Sequence, residues 1–250
     1  MKTRTLGARI LRELAFSPKG LAWLPAFSIL LSLLVYLFLT NVDLSLMDQK
    51  TMMFMTTQAI LLLGILAVAV VAADAVAGER ERGTMEALLA APVTSDQLLG
   101  GYLAGALVPW LAMAVIALPY LAVVSAGTGG FLLSATYLLG TGALLALGVG
   151  AWTVGLSART DSLRNGILMA LVVYAGLAVP AVLSSALRGN WVGRAYDFLD
   201  PFSNVMNTLD SVIIDEQGFS LQVVRLLMLA AFTGAGLLYA RRRIANVSLS

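Results

Sequence analysis

The sequence contains no cysteine and no histidine. Without thiols it has neither a disulfide framework nor a thiolate nucleophile, and without imidazole it lacks the commonest metal ligand and the side chain that titrates nearest neutral pH. Charge is scarce too: 12% of the 250 residues are Asp, Glu, Lys or Arg, against roughly 25% in soluble domains. The net charge of +2 does not argue for nucleic acid, which calls for a basic patch. No G-x-x-x-x-G-K-[ST] phosphate loop occurs either, so the sequence offers no nucleotide site of that kind.

What the chain has is apolar length. Hydrophobic residues make up 59% of it. Six segments, approximately 21–40, 56–77, 97–124, 131–157, 166–187 and 221–240, reach the about 20 helical residues that cross a hydrocarbon core of about 30 Å. Lipid offers the backbone no hydrogen-bond partner, so such segments are expected to be helices. The first is longer than the apolar region of a signal peptide and lacks a clear small-residue cleavage site after it; it reads as a retained first span. The expected fold is all-α: a polytopic membrane protein with six transmembrane helices forming a single transmembrane domain over residues 1–250.

An even number of spans puts both termini on one side. With them fall Lys2, Arg4, Arg9, Arg12, Lys19, Arg80, Arg82, Arg159, Arg164, Arg241, Arg242 and Arg243, leaving Lys50, Arg188, Arg194 and Arg225 opposite. Because positively charged loops stay cytoplasmic, this asymmetry predicts that both termini and the 78–96 and 158–165 loops face the cytoplasm. The chain is thus expected to be an integral protein of the cell (inner) membrane.

Residues 1–20 place Leu6, Ile10 and Leu14 on one helical face, with Arg9, Arg12 and Glu13 elsewhere. That pattern fits a cytoplasmic interfacial helix, the plainer reading being a charged topological anchor. Pro109 and Pro119 are expected to kink the third span. Gly101 with Gly105, and Gly142 with Ala146 and Gly150, have the spacing of close helix approach, which is favoured over pore lining. Asp74 is the one carboxylate inside a predicted span and lies within a turn of its cytoplasmic end; interfacial placement is favoured over a buried functional charge. The extracytoplasmic segment 188–220 reads as short amphipathic re-entrant helices at the outer leaflet. One of them begins with Asp200 as N-cap and Pro201 at the first position. Its acids Asp197, Asp200, Asp210, Asp215 and Glu216 lack calcium-loop spacing and read as a solvated rim.

Between the second and third spans stands "GERERGTMEALLAAPV", residues 78–93. From Thr84 to Ala91 a helix would reach only about 12 Å, too short to span. Met85, Leu88 and Leu89 form one apolar stripe, Glu86 sits near the helix N-terminus, where its charge is favourable, and Pro92 ends the helix. Thr94 and Gln97 then have the spacing of a capping box that opens the third span. An isolated charge run after a span is often only a stop signal, but an apolar stripe beside it needs something to bury it.

Along nearly every position of this stretch the chain resembles the permease subunits of ABC-2 type ABC transporters, and the resemblance extends more loosely to the whole chain. It implies that residues 78–96 form a cytoplasmic coupling loop on a separate ATPase subunit. Glu79, Arg80, Glu81, Arg82 and Glu86 would make its polar contacts, Met85, Leu88 and Leu89 its apolar ones, with Gly83, Thr84 and Pro92 shaping the helix. Arg159, Asp161 and Arg164 would add a smaller contact. The resemblance further implies two ATPase copies carrying ATP and Mg, a second permease copy or paralogue, transport in the direction of export, and an extracellular gate including Asp197, Asp200, Pro201 and Phe202. No catalytic residue, metal or cofactor is expected on this chain. An ion-coupled secondary carrier is disfavoured because no span core carries a buried ionisable residue, and an intramembrane enzyme because carboxylate clusters and His ligands are missing.

Overall fold

A computed structural model describes residues 18–40, 48–83, 94–127, 129–160, 162–182 and 190–247. Among them all regular structure is helical. Helix α1 runs Pro18–Thr40 and α2 Gln49–Ala73, and α2 continues through a π-helical turn at Asp74–Gly78 into a last α-turn at Glu79–Glu81. Then follow α3 (Ser95–Val124), α4 (Phe131–Ser157), α5 (Leu163–Val182), α6 (Trp191–Leu199), α7 (Pro201–Ile213), a 3-10 turn at Phe219–Gln222 and α8 (Val223–Val247).

Five helical stretches are long and apolar enough to cross a membrane: Trp23–Thr40, Gln49–Glu81, Ser95–Val124, Phe131–Ser157 and Val223–Ala245. Leu163–Val179 is a shorter apolar helix. The chain is an integral membrane protein. Several helices exceed the apolar segments that announce them: α2 starts at Gln49, and α8 continues past Ala240 to Val247. Hydropathy marks where lipid contact ends, whereas a helix ends only where its backbone finds other partners.

Helix α2 is the axis of the bundle, packed against α3, α4 and α5, while α4 makes an extensive interface with α8. Lipid supplies no hydrophobic drive between helices, so contact depends on close fit. Trp110 of α3 shows how: its ring is fully buried, and a Cβ added at Gly64 of α2 or Gly142 of α4 would stand 2.6 or 2.4 Å from ring atoms. The indole is a wedge seated on two glycine backbones. A Cβ added at Gly150 would meet Val68 and Leu103 at ordinary contact distance, so the Gly142–Gly150 stripe packs within the chain, as its spacing suggested. Both Pro109 and Pro119 lie inside the single helix α3. On α1, Ile29, Leu33 and Tyr36 are exposed, an outward apolar stripe at helical spacing suited to lipid.

Candidate functional site: two polar joints at opposite ends of the bundle

The first joint lies where α2 leaves its apolar core. A π turn inserts one residue per turn and is found often at functional sites. Here, at Asp74–Gly78, it brings Asp74 and Arg82 together across Gly78. Arg82 Nη2 stands 3.7 Å from Asp74 Oδ1, and Arg82 Nε donates to the Gly78 carbonyl at 2.9 Å. A Cβ at Gly78 would fall 2.5 Å from Asp74 Oδ1 and 2.7 Å from Arg82 Nη2; only glycine leaves room for the pair. Gly83, at φ 69°, supplies the left-handed residue that turns the chain out of the helix.

The four consecutive charges are each tied to this chain. The Tyr102 hydroxyl of α3 donates to Glu79 Oε2 at 2.5 Å. Arg80 Nη1 donates to the Thr160 carbonyl at 3.1 Å, and the Leu163 amide donates to Glu81 Oε2 at 2.6 Å. With the Arg82–Asp74 pair, the run fastens the end of α2 to α3 and to the turn between α4 and α5. It is a helix end rather than a loop, because the backbone remains helical through Glu81. Arg159 and Arg164 are exposed at the same end. Asp96 and Arg241 form a two-point ion pair at 2.7 and 2.9 Å, fixing α8 to the start of α3. The Thr94–Gln97 capping box is present with both of its hydrogen bonds. Thr84, Met85, Glu86, Leu88, Leu89 and Pro92, which carry the expected coupling helix, lie outside the described residues, as does Asp161.

The second joint caps the opposite end. There α7 is buried along most of its length and packs against α8, α4, α5 and α2. Asp200 is its N-cap: the Ser203 amide donates to Asp200 Oδ2 at 2.6 Å, and Pro201 occupies the first turn. Asp200 and Phe202 are 3% and 1% exposed, so the start of α7 is sunk in the bundle, and Asp200 is no part of a solvated rim. Asp197 lies on α6, one turn back, and its Oδ2 accepts from Asn207 Nδ2 at 2.8 Å. Asp197 Oδ1 and Asp200 Oδ1 are buried without hydrogen-bond partners. Loss of solvation pushes the Asp200 carboxyl up to about 6, with the Asp197 charge adding and the hydrogen bonds from Ser203 opposing. Arg225 of α8 donates to the Asn207 carbonyl at 2.7 Å and to Ser211 Oγ at 2.9 Å. Beside α7, helix α6 holds Trp191, Phe198 and Leu199 at the surface, and Tyr196 donates its hydroxyl to the Gly176 carbonyl of α5.

Thus Asp197, Asp200, Pro201 and Phe202 come together, as do Glu79, Arg80, Glu81 and Arg82. Tyr102, Thr160, Asn207 and Arg225 join these clusters without any mark in the sequence, since their partners stand 10 to 80 positions away. Asp74 reaches Arg82, just past the end of the apolar helical stretch Gln49–Glu81. Among the described residues no group of three or more acids comes together to hold a metal ion.

Long apolar helices whose ion pairs, among the described residues, all lie toward the two ends define a helical integral membrane protein. A family model for the ABC-2 family transporter proteins matches residues 31–243, and the chain belongs to that family: it is a transport permease. A comparison with curated proteins gives no match.

Proposed function

We propose that the chain is the transmembrane permease subunit of an ATP-driven ABC-2 exporter. It couples to a separate cytoplasmic ATPase, present in two copies and holding ATP and Mg, and pairs with a second permease copy or a paralogue. The chain itself is then no enzyme; hydrolysis belongs to the ATPase. Family membership supports the reading, and the observation that carries it is the fastening of Glu79–Arg82 to Tyr102 and to residues 160–163. A push on residues 84–93 from a partner would reach α2, α3 and the α4–α5 turn together. Motion passed on through such a joint is a shift between two packings of the bundle.

Arg80, Arg82, Arg159, Arg164 and Arg241–Arg243 gather at the first joint, whereas Lys50, Arg194 and Arg225 lie toward the second. By the positive-inside rule the first joint faces the cytoplasm, with both termini. Helix α5, 20 residues long, reaches about 30 Å at 1.5 Å per residue and serves as a sixth span. The buried α7 and the aromatic surface of α6 then form an outer re-entrant hairpin that closes the extracytoplasmic end, Asp200 and Phe202 at its base. The exposed Arg159 and Arg164 remain free to meet the ATPase beside residues 84–93.

Co-expression and co-purification with a soluble ABC ATPase, followed by ATP turnover in lipid discs, tests this. Deleting residues 79–90 is expected to abolish the complex. The pair Arg80→Ala and Glu81→Gln, which loosens the joint alone, should keep the complex and reduce permease-dependent ATP turnover about fivefold, the equivalent of about 1 kcal/mol for exposed charged contacts. A complex and turnover untouched by the deletion would refute the coupling.

A further inference from the structure

At the end of the bundle bearing α7, a cavity of about 450 Å³ opens between α2, α4 and the end of α7. Its size falls in the range of small-molecule sites, which are mainly apolar with a few placed polar groups. Met53, Val212 and Ile213 form buried walls, at 2 to 3% exposure. Tyr137 lines a side, and Leu133, 45% exposed, places the opening on the outward face of α4, within reach of lipid. At the rim Lys50 of α2 is paired with Glu216.

Two features make the rim more than a chance ion pair. Glu216 holds φ 54°, the only non-glycine residue in the left-handed region among those described. An ordinary side chain kept in that region costs free energy and persists where surrounding contacts over-determine it. Here it lays the carboxylate across the cavity mouth. The mouth is also acidic in balance: Asp48 as well as Glu216 acts electrostatically on Lys50. Two carboxylates face one ammonium, so a second cation is favoured there and an anion is not. A tyrosine ring on the wall adds a face that attracts cations.

We propose that this cavity binds an amphiphile with a single amine, its apolar body between Tyr137 and Ile213 and its ammonium on Glu216 in place of Lys50. The site goes beyond the transport reading and needs neither the ATPase nor a direction of transport, so it is measured without either.

The test uses the full chain in discs of zwitterionic lipid, empty discs subtracted. Dansylcadaverine, an apolar fluorophore with one amine, is compared with dansyl-6-aminohexanoic acid, which carries the same fluorophore on a carboxylate. Saturable binding of the amine is expected, tighter than that of the acid. Glu216→Gln should weaken the amine two- to fivefold, and Lys50→Met, which removes the competing cation, should tighten it by a similar factor, the scale of one exposed charge contact. Leu133→Trp, at the opening, should weaken both probes. Tighter binding of the acid, with Lys50→Met weakening it, would overturn the proposal in favour of an anionic ligand. Amine binding that is unchanged by all three substitutions would overturn the site itself. ATPase coupling can fail its own test with this result standing, and the reverse.

Discussion

Asp200 concentrates several demands in one side chain. It caps α7 through the Ser203 amide, it is 3% exposed, and its second oxygen has no partner. Burial without compensation disfavours the charged form, and the carboxyl is raised from 3.8 to about 6. A raised folded-state value means that the native protein binds this proton more tightly than the unfolded chain. The resulting stabilisation is present in full below the ordinary carboxylate range and is lost as pH rises through about 6. Thermal unfolding in detergent at pH 4 and pH 7 reads this directly. Asp200→Asn keeps a capping oxygen and cannot ionise, so it should flatten the pH dependence and match or exceed the native chain at pH 7. Asp200→Ala loses the cap and should be less stable than Asp200→Asn by about 1 kcal/mol. An unaltered pH profile in Asp200→Asn would place the titration elsewhere. The cap itself was legible, because Asp before Pro at the start of an amphipathic run names a helix start. Its depth was not: burial depends on α8, α4, α5 and α2 closing over α7.

At the scale of helices, the fit of α3 between α2 and α4 rests on one large ring against two absent side chains. Gly64→Ala and Gly142→Ala each drive a methyl to within 2.6 and 2.4 Å of Trp110, and a fully buried indole has no open direction in which to yield. Each substitution is expected to cost about 1–3 kcal/mol of stability. Trp110→Phe, which shortens the ring, should recover much of that loss in the double variants and so give a coupling of opposite sign to the single effects. Melting midpoints of the six chains in one detergent decide it; Gly142→Ala as stable as the native chain would contradict the wedge. The Gly142–Gly150 spacing announced close approach, but not what approaches. Which side chain fills the space left by a glycine is set by the rotation of the neighbouring helix, and local sequence does not fix that. The charged run behaves likewise. Its composition predicted an end to the span, yet its contacts with Tyr102, Thr160 and Leu163 come from the π turn and from three other elements meeting there.

For the whole molecule, the proposed orientation can be checked with unusual directness because the chain has no cysteine. Single cysteines at Asn190 and Arg159, both exposed and at opposite ends, need no background removed. A membrane-impermeant maleimide applied to intact cells should label Asn190→Cys, and should label Arg159→Cys only after the membrane is opened. Labelling of Arg159→Cys from outside would invert the assignment and, with it, the side on which an ATPase could meet residues 78–96.

Local sequence sets the environment and the building blocks of this protein. Apolar runs of span length, scarce charge and basic residues gathered in alternate loops follow from what a bilayer tolerates, and bilayer constraints act segment by segment. Cap and turn residues such as Thr94, Gln97, Asp200, Pro201 and Gly83 are local as well, since each acts on backbone groups a few positions away. The packed bundle sets how far the helices continue beyond the apolar runs, which residues answer Glu79, Arg80 and Glu81, and that a Lys50–Glu216 pair stands at a cavity mouth. These are contacts between elements far apart in the chain. Their existence depends on helix rotation and on the extra residue in the turn at Asp74, which only the assembled bundle sets.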